Sequence, residues 1–240
     1  MRILAFESSA KAASVALMQD GVLLAESFQN NGKTHSATLM PMAQQVLMDC
    51  GLTAAELDAV AVAKGPGSFT GVRIGVAAAK VLAWGVEKPV CGVSTLEAMA
   101  TQLSMQAGII CPVMDARRGQ VYNALFQSDG KTLTRLTSDR AISLEELKKD
   151  LEKAEKTIFL VGDGTKLCYN TLSEALPLLT EPPGWQWQRS VWHSRAGCKH
   201  LVSWCQAICG CLRQSGSVWK NSNNRKGTKK WQNCMYWIIR

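Results

Sequence analysis

The segment of this chain with the most chemical potential is Gly65-Pro66-Gly67-Ser68-Phe69-Thr70-Gly71-Val72-Arg73-Ile74-Gly75. Gly65 and Gly67 permit tight backbone geometry, Pro66 stiffens it, and Ser68 or Thr70 can cap a following helix. A turn of this kind presents free amides, so Gly65, Gly67, Ser68 and Thr70 are candidate anion- or nucleotide-contacting residues. The competing reading is a purely structural strand-to-helix turn. It is not a P-loop, because no Gly-Lys-Ser/Thr follows the glycines. Two acids stand at the starts of turns. Glu7 is followed by Ser8-Ser9-Ala10-Lys11-Ala12-Ala13, with no glycine and no second acid. Asp115 precedes Arg117-Arg118-Gly119, and capping of its own turn with a salt bridge to an arginine competes there with a phosphate-loop role. Two imidazoles four residues apart on a helix share one face and can hold a metal together. His35 has Leu39 at that spacing, and the other two histidines are His193 and His200. No catalytic residue and no metal ligand is assigned.

The elements that would position these residues are legible from periodicity. Arg2–Ser8, Ser14–Met18 and Val22–Ser27 read as a three-stranded meander, with Gln19-Asp20-Gly21 as a hairpin turn. Thr34 or Ser36 caps a helix to about Cys50, with Pro41 tolerated in its early part. Leu52–Leu57 reads as a short helix capped by Thr53 and Ala59–Ala63 as a buried strand. Val72–Gly85 reads as a helix, Pro89–Gly92 as a strand and Thr95–Ser104 as a helix. A second unit begins near Gly108: strands Ile109–Met114, Gln120–Gln127 and Lys131–Leu136, a helix Leu144–Ala154 capped by Ser143, and a strand Ile158–Val161. The repeated β-β-β-α-β-α-β-α order is the plan of the actin-like, or ribonuclease-H-like, ATPase superfamily, an α/β fold. By itself it says little about activity.

The domains expected are 1–107, a first actin-like unit, and 108–182, a partial second one. The remainder, 183–240, departs in composition. The net charge is +8, yet residues 1–182 hold all 19 acids against 17 Lys and Arg, and the last 58 residues hold ten Lys and Arg and no acid. Seven of the eight tryptophans and five of the nine cysteines lie there as well. Two readings compete: a basic, aromatic-interleaved nucleic-acid binder, or out-of-frame translation. The codons available to Val218–Asn224, shifted by two nucleotides, can spell leucine, two glutamates and three glutamines, a fair helical run. The frameshift reading is preferred, the tail is expected to be disordered, and it is given no function. No uncharged apolar run of about 18 residues exists, and Glu7 interrupts the N-terminus too soon for a signal peptide. A cytoplasmic chain with reduced cysteines is the expectation.

Several segments together resemble one family. They are Ile3-Leu4-Ala5-Phe6-Glu7-Ser8-Ser9, Ser14-Val15-Ala16-Leu17, His35-Ser36-Ala37-Thr38-Leu39-Met40-Pro41, the glycine-rich segment above, and Met114-Asp115-Ala116-Arg117-Arg118-Gly119-Gln120-Val121-Tyr122. In this order, over roughly residues 1–180, they are similar to the TsaB (YeaZ) family. One departure is Glu7-Ser8-Ser9, where the family more often has Asp-Thr-Ser. The larger one is the tail, where the family's closing strand and helices belong.

The resemblance implies a non-catalytic partner of the paralogous subunit TsaD. The complex forms the threonylcarbamoyl group on N6 of adenosine beside the anticodon, in tRNAs reading codons that begin with A. It implies a heterodimer with TsaD, contact with TsaE and tRNA through the complex, and a homodimer when free. It implies no cofactor of the chain's own, ATP and a metal ion being expected on TsaD and TsaE. The alternative is an autonomous actin-like ATPase or metallopeptidase. The family's interface packs two helices on their counterparts, which points to the helices near 35–50 and 72–85. The first is apolar over more of its circumference than one core stripe needs, and the second offers small residues for close approach. The partner-binding candidates are Leu39, Met40, Met42, Val46, Gly75, Ala78 and Ala79. The competing reading makes them intramolecular core.

Overall fold

A computed structural model describes residues 1–180 of the chain; the expectations for 183–240, disorder among them, lie outside the described residues. Strands β1 (Arg2–Glu7), β2 (Ala13–Gln19) and β3 (Val22–Gln29) form the opening meander. Helix α1 (His35–Asp49) follows, then β4 (Ala59–Gly65), helix α2 (Phe69–Gly85), β5 (Val90–Ser94) and helix α3 (Thr95–Thr101). The sheet order is β3-β2-β1-β4-β5. Its strands β1, β4 and β5 are parallel, and β2 is antiparallel to its neighbours. This is the topology expected of the actin-like plan.

The central strands are buried on both faces, which is why they read as continuous apolar runs. Alternate residues sort by face. Leu4, Phe6, Val15, Leu17, Val60 and Val62 pack with Leu39, Met42 and Val46 of α1 and Ala79 and Ala83 of α2. Ile3, Ala5, Ala16, Met18, Ala59 and Ala61 pack the opposite face with Ala98 of α3.

The second sheet begins at β6 (Gly108–Arg117), which pairs with β7 (Gln120–Asn123) and β8 (Phe126–Ser128). The register is the same for both, Val113↔Asn123 and Ile110↔Phe126, so β7 and β8 are one strand interrupted at residues 124–125. On its outer side lie β9 (Leu133–Arg135) and β10 (Arg140–Ser143). Helix α4 (Leu144–Leu151), strand β11 (Ile158–Val161) and helix α5 (Thr165–Leu172) complete the described elements. β11 runs parallel to β6, and a parallel bridge joins Ile158 to Leu179. The 3-2-1-4 order of the first unit is therefore repeated, with the fifth position opened by Leu179.

Two features joining the units follow from burial. Leu96, Met99 and Ala100 of α3 share a buried cluster with Ile110, Met114, Phe126 and Val161, and Ala10 packs against it. The loop after β1 and helix α3 thus belong structurally to both sheets.

Differences from the sequence expectations have local causes. The 52–57 helix is a single 3-10 turn, Ala54–Glu56, in which the Glu56 carboxylate accepts from the Thr53 N–H and hydroxyl. Helix α2 starts at Phe69 rather than Val72 because Ser68 caps it, its hydroxyl accepting from the Gly71 N–H at 3.3 Å. Neither Thr34 nor Ser36 caps α1 through its side chain; Thr34 occupies the cap position, and its carbonyl rather than its hydroxyl accepts the Ala37 N–H. Strand β10 and helix α5 are additional to the elements expected. The first is a short edge strand and the second lacks a strong apolar stripe.

Candidate functional site

The glycine-rich turn has a clear structural use. Gly67, Gly71 and Gly75 recur four residues apart and lie against the end of β1. A Cβ on Gly67 would stand 2.6 Å from the Ser9 carbonyl oxygen, and one on Gly71 2.1 Å from that of Ser8. One on Gly75 would stand 2.3 Å from Ser8 Oγ. The Ser8 hydroxyl donates to the Gly71 carbonyl at 2.9 Å, and the Ser68 N–H donates to the Ser9 carbonyl at 2.7 Å. Gly65 is buried with φ +102°, a conformation that favours glycine. Of the four anion candidates, Gly65 and Gly67 have this backbone role, Ser68 caps α2, and Thr70 is exposed. The amides of Ser68 and Gly71 are already engaged by the protein.

The acids and the histidine at the same end hold turns. Glu7 is 8% exposed and its Oε1 accepts from the Ser9 N–H at 2.5 Å. His35 Nε2 lies 2.9 Å from the Ala10 carbonyl oxygen, so the hydrogen bond at the start of α1 is not a local one but ties the helix to the loop after β1. Leu39, four residues on, is 1% exposed in the core. Asp115 Oδ1 accepts from the Arg117 N–H at 2.7 Å, and its own N–H donates to Asp163 Oδ1 at 3.2 Å. The turn cap expected of Asp115 is present. The expected salt bridge is not, since neither Arg117 nor Arg118 pairs with an acid among the described residues. No group of three or more His, Cys, Asp or Glu that could hold a metal ion occurs among the described residues.

Buried thiols complete the polar inventory of the second unit. Burial, and then the neighbouring Cys168, push the Cys111 thiol far up; the Asn123 amide donates to its sulfur at 3.3 Å. Burial and then Asp115 push Cys168 up to about 12. Such thiols stay protonated and unreactive near neutral pH.

The structure divides the seven partner-binding candidates. Leu39, Met42, Val46 and Ala79 are between 0 and 2% exposed and belong to the chain's own core. Gly75 is buried against Ser8, and Ala78 is half-buried on the same core cluster. Burial in the monomer removes Leu39, Met42, Val46, Gly75 and Ala79 from any external face, while Ala78 stays partly exposed and Met40 faces out. The outward apolar side chains are others: Met48 at 63%, Val81 at 65% and Trp84 at 77% exposure. Sequence reasoning missed Val81 and Trp84 on α2. Their signal was the spacing from Ala77, which places 77, 81 and 84 on one stripe opposite the buried 71, 75, 79 and 83. Beside this stripe a groove of about 500 Å³ opens between α1, the 52–54 segment and α2, lined by Met40, Pro41, Gln44, Met48, Leu52 and Leu82.

Comparison with known proteins decides the family. The TsaD family model, described as tRNA N6-adenosine threonylcarbamoyltransferase, matches residues 23–190. The tRNA threonylcarbamoyladenosine biosynthesis protein TsaB of Bacillus subtilis (strain 168) is 36% identical over 176 residues, covering 73% of this chain and 77% of that protein. The chain belongs to the TsaB family. The Escherichia coli (strain K12) TsaB is 43% identical over 131 residues, 54% of this chain and 56% of that one. Among solved structures, YeaZ from Pseudomonas aeruginosa superposes with a TM-score of 0.63 at 29% identity, covering 76% of this chain and 82% of that one. In this TsaB-family chain the glycine-rich segment seats α2 against the end of β1 and so fixes the outward stripe of α2. No helix among the described residues is long and apolar enough to cross a membrane.

Proposed function

We propose that this chain takes part in threonylcarbamoyladenosine formation on tRNA as a non-catalytic partner of TsaD. On this reading TsaD carries out the transfer to N6 of the adenosine beside the anticodon. The chain docks TsaD through α1 and α2, and TsaE and tRNA join the pair. ATP and the metal ion reside on TsaD and TsaE. The family supplies the reaction, since its named members are tRNA threonylcarbamoyladenosine biosynthesis proteins. The single observation that carries a docking role is the exposed apolar face of Met40, Met48, Val81 and Trp84. Met40 and Met48 line one groove with Leu82 of α2, the helix that carries Val81 and Trp84; exposed apolar surface marks association sites, and methionine with tryptophan is a composition that interfaces favour.

The engaged state of these turn residues supports a partner rather than a free-standing catalyst. Glu7 holds its own turn, the Gly71 amide of α2 is capped by Ser68, and Asp115 closes a hairpin. The test is reconstitution. Purified chain with ATP and Mg²⁺ alone is expected to show no turnover above background. Adding it to TsaD, TsaE, tRNA and the threonylcarbamoyl donor is expected to permit formation of the modified base. Steady ATP hydrolysis by the chain alone, abolished by Glu7→Ala, would replace the partner role with an autonomous ATPase.

A further inference from the structure

The ion pairs among the described residues use the N-terminal amine, Arg2, Arg135, Arg140, Lys148 and Lys153. None uses Lys80, Lys88, Lys131, Lys149 or Lys156, and none uses Lys11, Lys33, Lys64, Arg73, Arg117 or Arg118. The last six of these stand together at one edge of the molecule. Lys64 is near the C-terminal end of β4, and Lys11 and Lys33 follow β1 and β3, which run in the same direction. His35 bonded to the Ala10 carbonyl brings the Lys33 and Lys11 loops together. Ala10 in turn packs on the cluster containing Met114 and Tyr122, at the base of the hairpin that carries Arg117 and Arg118.

The acids on this edge do not neutralise it. Segments 8–13, 30–36 and 64–76 contain no Asp or Glu. Glu7, which is buried, and the exposed Asp115 and Asp163 each accept from a backbone N–H and keep their charge, so three acids stand here against six cations. Residues 1–182 have two more acids than Lys and Arg (19 against 17), so a basic edge is a segregation and not a by-product of overall charge. The hairpin tip is also held in a costly conformation, with φ +67° at Arg117 and +52° at Arg118, where non-glycine residues are uncommon. At the same edge Phe69 is 69% exposed, and the Arg73 guanidinium lies over its ring at 3.5 Å from the centroid. Unpaired cations strung along an edge beside an exposed aromatic–arginine pair are what a flexible polyanion with stackable bases requires.

We propose that this edge binds a single-stranded region of RNA. Arg117, Arg118, Lys11, Lys33 and Lys64 meet phosphates, and Phe69 with Arg73 offers a platform for an unstacked base. This rests on the role in tRNA modification proposed above and assigns part of the tRNA contact to this chain's own residues.

The test measures binding of an unmodified tRNA transcript to the full-length chain assembled with TsaD, over a series of KCl concentrations. Arg117→Ala with Arg118→Ala is expected to weaken binding about tenfold at 0.1 M salt. It should also reduce the slope of log K against log salt by about 1.4, two single-strand phosphate contacts. Arg117→Lys with Arg118→Lys is expected to restore most of that slope. Phe69→Ala is expected to lower affinity at least about fivefold with the slope unchanged, the loss of one stacked base. All these side chains are exposed, so melting temperatures should stay within a degree or two of the parent. Unchanged affinity and slope in the arginine variants would overturn the proposal. So would weakened pairing with TsaD at unaltered RNA affinity per assembled pair, which would make the edge a protein-binding surface. Failure of the parent chain to support base modification would sink the functional reading by a separate readout, with the RNA measurement standing.

Discussion

The residues that first suggested chemistry are used, in the structure, to bring backbones together. Gly71 makes the case most sharply. Its built Cβ falls 2.1 Å from the Ser8 carbonyl oxygen, 3.3 Å from the His35 ring and 3.3 Å from Ser68 Cβ. The first neighbour is backbone of a buried strand end and cannot yield without displacing β1. Gly71→Ala is therefore expected to destabilise by about 1–3 kcal/mol or more, as overpacking does. That lowers the melting temperature by several degrees in a chain of this size. Gly85, the last residue of the same helix, has nothing within 4 Å of a built Cβ and no positive φ. Gly85→Ala should be neutral or slightly stabilising, because it only restricts the unfolded chain. Thermal melts of the two variants side by side check the close approach; equal effects would contradict it.

At the scale of elements, the chain's periodicity located most of the architecture. Strand β11 and the start of α4 fall where the pattern placed them, because Ser143 caps a helix and Ile158–Val161 is a short apolar run between turns. Element ends were less legible, because they depend on hydrogen bonds between segments distant in sequence. Helix α2 begins three residues early through the Ser68 cap, and β6 extends to Arg117 through its pairing with Gln120. The α4 cap is a reciprocal one. The Ser143 hydroxyl accepts from the Glu146 N–H at 3.2 Å, and the Glu146 carboxylate accepts from the Ser143 N–H at 2.9 Å. The Ser143 N–H and then its hydroxyl hold the Glu146 carboxyl below its ordinary value. A carboxylate depressed in the folded state stabilises above the unfolded glutamate value of about 4.3. That contribution is lost as pH falls through the lower folded value. Glu146→Gln should thus lower the melting temperature at pH 7, and the gap from the parent should close toward pH 3. An undiminished gap at pH 3 would mean the charge is not what the cap uses.

The whole molecule adds what neither residue nor element reveals: which apolar side chains remain outside once both sheets are packed. From sequence alone α1 carries an excess of apolar residues, but only the fold tells that Leu39, Met42 and Val46 face the sheet, where α1 packs on β2 and β3, while Met40 and Met48 face away. The same holds for α2, where the small residues expected at an interface lie inside or half-inside and Trp84 lies outside. The site's chemistry was legible as a family signature, and its outward geometry was not. A physical consequence follows for assembly. Trp84 is 77% exposed and Met48 63%, so replacing either leaves the monomer's packing nearly intact. In a docked pair the same side chains are expected to be desolvated, and a glutamate there would be buried without a partner at a cost of several kcal/mol. That corresponds to about a hundredfold or more in affinity. Trp84→Glu and Met48→Glu are therefore expected to abolish co-elution with TsaD and, if the free chain self-associates through the same face, to yield monomer by light scattering. Their circular dichroism and melting temperatures should match the parent. Ala79→Glu, placed in the core, should instead unfold the chain. Normal TsaD binding by both surface variants would move the docking face away from α1 and α2.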